Sequence, residues 1–113
     1  MAKRRCFSSG VYESKAYLNL SKDAKILYTE LIFHSDDEGV VINPEIPMCI
    51  LGVDERALAE LVEQELLILV DDVYVIRHWY LHNKVQPSRM IQSLYQTQLS
   101  KLTVNQRKEY EFL

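Results

Sequence analysis

The chain has 113 residues, 48% hydrophobic and 26% charged, a balance that supports one folded domain with a modest core and excludes an intrinsically disordered chain. No run reaches the ~18 apolar residues of a membrane span, and the start lacks a signal-peptide stretch because Lys3, Arg4 and Arg5 lead into mixed sequence. The net charge of −3 hides a partition. Residues 1–29 carry six Lys/Arg against Glu13 and Asp23, residues 30–72 carry twelve acids against Arg56 alone, and residues 73–113 carry six bases against Glu109 and Glu111. Such asymmetry bears on partners, not on fold. Cys6 and Cys49 lie far apart without Cys-x-x-Cys spacing. They read as reduced thiols of a cytoplasmic protein, one in the core and one near the N-terminus.

Residues 1–12 read as a basic N-terminal arm. Ser14 to Leu18 suits a short helix capped by Ser14. Ser21 caps the first strong helix, with Asp23 in its first turn, and Ala24, Leu27, Tyr28, Leu31 and Ile32 recur at helical spacing to form a core face. Asp36-Asp37-Glu38-Gly39 ends it, with Gly39 able to take a positive φ. Val40-Val41-Ile42 reads as a small strand. Asn43-Pro44 turns the chain into a second helix near 45–51, with Pro47 in the first turn and Gly52 as terminator. Asp54 caps a third helix at about 55–65, whose buried stripe is Leu58, Leu61 and Val62. Leu66 to Val70 and Val73 to Arg77 then flank Asp71-Asp72 as a hairpin, whose turn lacks glycine and has no type assigned by the sequence. Beyond it, Ser88 to Leu102 reads as a helix with Met90, Ile91, Leu94, Tyr95 and Leu99 on one side. Thr103 to Gln106 resembles a capping box for a last helical turn.

The order helix, short strand, helix, helix, hairpin is that of a winged helix. The expected fold is therefore α+β, a helix-turn-helix with a β-hairpin wing over residues 13–86 and a C-terminal helical extension over 87–113. In a DNA-binding winged helix the third helix enters the major groove. Here it carries Asp54, Glu55, Glu60, Glu63 and Glu65 against Arg56, a poor surface for a polymer with one phosphate charge per ~1.7 Å of duplex. It reads either as a solvated acidic face or as a docking face for a basic partner through Glu60 and Glu63. Nucleic-acid contacts fall instead to Lys3, Arg4 and Arg5 of the arm, and to Arg77, Lys84 and Arg89 around the wing exit. Tyr74, Trp79, Tyr80 and Tyr95 read as core or interface anchors, since interfaces are enriched in such residues. His78 and His82 are four apart but lack neighbouring ligands, so no metal is expected. There is no Gly-rich phosphate loop and no Gly-x-Ser-x-Gly elbow, so neither a cofactor nor catalysis is expected.

One further signal lies in Val73-Tyr-Val-Ile-Arg-His-Trp-Tyr-Leu-His-Asn83, where a strand is followed by His78-Trp79, then His82-Asn83, then a basic segment with Arg89. This resembles the end of the N-terminal winged-helix domain of phage and prophage replisome organisers, relatives of the DnaD-type primosome proteins. The opening Met-Ala-Lys-Arg-Arg-x-Phe-Ser, with Cys6 at the variable place, is similar to the family start. Ala16-Tyr17-Leu18, Leu27-Tyr28, Asp36-Asp37-Glu38-Gly39, Asn43-Pro44 and Leu51-Gly52 follow in the family's order. The resemblance implies a cytoplasmic, non-enzymatic module of a DNA replication initiation protein that helps organise a replisome. The acidic third helix, the seven tyrosines and the basic termini favour action through self-association, a dimer first of all, and contacts with replisome proteins. The alternative is a direct DNA binder that uses the arm and wing, at an origin or as a transcriptional regulator.

Overall fold

Twelve residues after Ser21 form the longest helix because Ser21 accepts the Ala24 N–H at its start and an apolar stripe faces inward. Ala24, Leu27, Tyr28, Leu31 and Ile32 are each at most 1% exposed. The computed structural model describes residues 5–84 and 86–113. Among them the elements run α1 (Ser9–Tyr12), α2 (Lys15–Leu18), α3 (Lys22–Phe33), α4 (Glu45–Leu51), α5 (Glu55–Glu63), β1 (Leu67–Val70), β2 (Val73–Ile76), α6 (Trp79–His82), α7 (Gln96–Leu99), β3 (Leu102–Val104) and β4 (Tyr110–Phe112). The fold is α+β, with two small antiparallel hairpins.

The expected starts and stops of the central helices are present. Ser14 caps α2 by accepting the Tyr17 N–H. Gly52 ends α4 in the left-handed region at φ 71°, and Asp54 caps α5 by accepting the Arg56 N–H. Ala57, Leu58 and Leu61 face α5 inward, and α3 packs against both α4 and α5. Asp71 and Asp72 both take positive φ, 47° and 62°, so the turn between β1 and β2 is of the type I′ kind that matches strand twist. Val40 bridges Val75, and Val41 donates its N–H to the Tyr74 carbonyl. The segment Val40–Val41 therefore lies beside β2, opposite β1.

Four expectations are corrected. Residues 5–12 are not a detached arm. Phe7 packs into a ring cluster with Tyr12, Tyr17, Tyr28 and His82, and residues 9–12 form α1. Residues 88–102 are not one helix. Only Gln96–Leu99 is helical, Leu94 is 96% exposed, and residues 103–106 lie in β3 and the turn of the β3–β4 hairpin, not in a helical turn. Ile91 and Ser93 place their N–H groups on the carboxylates of Asp37 and Glu38, so this backbone finds its acceptors on another loop instead of within a helix. Asn105 closes the hairpin by accepting the Arg107 and Glu109 N–H groups, with Lys108 at φ 63°. Cys49 is exposed, not core, as is Cys6.

Candidate interaction surface

The residue pairs His78-Trp79 and His82-Asn83 do their work inside the fold. The α6 turn presents His82 and Asn83 to the N-terminal segment. Asn83 Oδ1 accepts the Cys6 N–H at 2.7 Å, and His82 Nδ1 accepts the Ser8 N–H at 2.8 Å. That second bond fixes the tautomer, so Nε2 carries the proton and donates to the Tyr28 hydroxyl at 2.6 Å. Burial pushes the His82 pKa down to about 4, with the charge of His78 acting the same way, so the ring is neutral near pH 7. Burial likewise raises the Tyr28 phenol.

The acidic loop 36–39 forms the second half of this clamp. Asp37 is buried and paired with Arg5 at 2.9 Å, and the Arg5 guanidinium also donates to the Ser35 carbonyl and lies 5.3 Å from the Trp79 ring centroid. The Trp79 indole N–H donates to the Asp37 carbonyl at 3.0 Å, and Gly39 lies against the same indole. Asp36 accepts the N–H groups of Glu38 and Val40. Glu38 accepts the Ser93 N–H and the Gln96 side-chain amide, while its carbonyl accepts the Tyr110 hydroxyl. One loop thus ties the N-terminal segment, α6 and the C-terminal residues together. Local sequence gives no signal for this, because every partner is remote along the chain.

Several candidate residues change role. Lys3 and Arg4 lie outside the described residues. Arg5, with a side chain 5% exposed, is turned into the domain and is not a surface cation. Arg77 is shared between Glu65 at 2.9 Å and Glu109 at 3.6 Å, which leaves it little charge to offer a phosphate. Lys84 and Arg89 are exposed. Trp79 is wholly buried, so it is a core residue and not an interface anchor. Tyr80 is half-buried against Tyr110, whose hydroxyl is 3.4 Å from its own.

Tyr74 and Tyr95 are brought together on a cavity of about 560 Å³ between α4, α5 and the β1–β2 hairpin, with Glu45, Glu55 and Asp72 on its walls. Glu60 is engaged internally, accepting both the N–H and the hydroxyl of Ser21 at 2.7 Å, which caps α3. Glu63 is exposed. Arg56 folds back on Asp54, and those hydrogen bonds hold the Asp54 carboxyl below its ordinary range. The outer face of α5 is therefore acidic, and its one cation is already paired.

His78 contacts Glu109 at 3.1 Å, and burial lowers its pKa against the pull of that carboxylate. Among the described residues no helix is long and apolar enough to cross a membrane. Protein-family models, curated proteins and solved structures contain no match to the chain.

Proposed function

We propose that the chain is a winged-helix module of a phage or prophage DNA replication initiation protein, working in the cytoplasm in replisome assembly through self-association and protein contacts, without enzymatic activity. Three observations support the winged-helix part. α3, α4 and α5 pack as a helical layer, the β1–β2 hairpin follows α5, and Val40–Val41 lies beside β2. The motif pieces that carry the family resemblance also meet one another. The Arg5–Ser8 segment lies on His82 and Asn83, and the Asp36–Gly39 loop lies on Trp79.

The observation that carries the protein-contact reading is the charge of α5. In a DNA reader this helix faces phosphates, and here Glu55, Glu63 and the neighbouring Glu65 accompany an Arg56 neutralised by Asp54. Exposed apolar side chains lie elsewhere: Ile26 and Phe33, seven residues apart on α3, and Ile46 and Ile50 on α4. Such residues suit burial between copies. Sedimentation equilibrium over a concentration series tests the reading. The expected result is a reversible dimer that Ile50→Asp converts to monomer. A monomer at every concentration would overturn self-association.

A further inference from the structure

Among the described residues strand β1 has one partner, β2. Val70 and Val73 flank the two-residue turn and form the first hydrogen-bonded pair, so the ladder pairs continue at Ile68–Val75 and Leu66–Arg77. On β2 the alternate residues Tyr74 and Ile76 turn outward and bond Val41 and Gly39. On β1 the alternate residues are Leu67 and Leu69, whose N–H and C=O groups turn to the opposite edge. Among the described residues no backbone group pairs with them there.

A groove of about 340 Å³ runs along that edge. Leu67, Ile68 and Leu69 of β1 line it together with Val62 of α5 and Phe112 of β4. Successive side chains of a strand point to opposite faces, so a groove lined by three consecutive residues of β1 is reached from the edge of the strand. Leu69 is 43% and Phe112 58% exposed, so the walls are apolar and open to solvent. β1 reads Leu-Ile-Leu-Val, without the lysine, proline or bulge that blunts an unused edge.

We propose that this edge takes an extended segment of another protein as an added antiparallel or parallel strand, with apolar side chains at alternate positions and Lys or Arg between them. The basic character follows from the rim. Among the described residues Glu65 and Glu111 line the groove with a single cation, Arg77, which Glu65 shares with Glu109, so acids outnumber bases there. A second copy of this chain is the poorer occupant, because a two-fold pairing of β1 with itself sets Glu65 and Glu111 against acidic rims. Main-chain bonds to Leu67 and Leu69 supply affinity, and the apolar walls and acidic rim select the side chains. The proposal depends neither on self-association nor on a role in replication.

The test uses the full chain and a capped peptide of alternating lysine and valine, titrated while amide resonances are followed by NMR. The expected result is saturable shifts at Leu67 and Leu69. Leu69→Pro, which deletes an outward N–H that no ladder bond uses, is expected to abolish them while circular dichroism stays unchanged. Glu111→Lys, an exposed change, is expected to weaken binding about two- to fivefold. Absence of shifts at millimolar peptide, shifts confined to other surfaces, or equal binding of a glutamate–valine peptide would each overturn the proposal. So would a dimer of the unliganded chain that Leu69→Pro dissolves, since the edge would then belong to a second copy.

Discussion

Gly39→Ala tests how the acidic loop and α6 fit together. Gly39 sits at φ +87°, and a Cβ added there would lie 2.6 Å from Trp79 Cγ and 2.8 Å from Trp79 Cβ. The indole has no room to recede, being 0% exposed and held by its N–H on the Asp37 carbonyl. Gly52 provides the comparison, because it has φ +71° and nothing within 4 Å of an added Cβ. Left-handed backbone strain is common to both alanine variants and costs about 1–2 kcal/mol. Overpacking belongs to Gly39→Ala alone and adds about 1–3 kcal/mol. Gly39→Ala is therefore expected to lose about 2–5 kcal/mol against about 1–2 kcal/mol for Gly52→Ala, a large share of the ~5–15 kcal/mol typical of a domain. Urea unfolding followed by tryptophan fluorescence measures this directly, since Trp79 is the only tryptophan. An equal loss in the two variants would refute the close packing of Trp79 on the loop.

Two further outcomes follow from the same contacts. The unfolded chain protonates His82 near 6.5 and the folded protein only near 4, so the unfolded state binds more protons between those values. Stability is then expected to fall as pH drops through that window, by up to about 3 kcal/mol, and to be flat in this term above it. Urea midpoints at several pH values check this. His82→Asn should flatten the profile and leave the residual slope of His78, and an unchanged slope would contradict the assignment. Separately, Glu60→Ala removes the acceptor at the start of α3 and is expected to cost about 1 kcal/mol, whereas exposed Glu63→Lys stays within about 0.5 kcal/mol. Thermal unfolding compares them, and equal melting temperatures would remove the capping role of Glu60.

The parts legible in the sequence are those whose cause is local. Ser21, Asp54 and Gly52 bound their helices by capping and φ preference, and the α3 stripe from Ala24 to Ile32 follows from helical period. The C-terminal region is not legible in this way, because apolar residues at 90, 91, 94, 95 and 99 fit helical spacing by chance of composition. The competing signal was there in Leu102-Thr-Val104 and Tyr110-Glu-Phe112, two short period-two runs that pair in register. Arg5 illustrates the other kind of miss. A basic residue near a terminus carries no local mark of burial, and its partner Asp37 is thirty-two positions away. The same holds for the pairing of His82 and Asn83 with residues 6–8, which makes them the clamp that holds the N-terminal segment.

The central claim is that contacts with protein, rather than with duplex, define this domain. Fluorescence anisotropy of labelled duplex DNA, titrated with the intact chain across a salt series and with its mass verified in solution, tests it most directly. The account predicts no saturable binding at low salt, together with a mass above that of one chain. Saturable binding that weakens steeply with salt, with a slope near about −0.9 per phosphate neutralised, and that is lost on neutralising Lys84 and Arg89, would contradict it and make the domain a DNA binder.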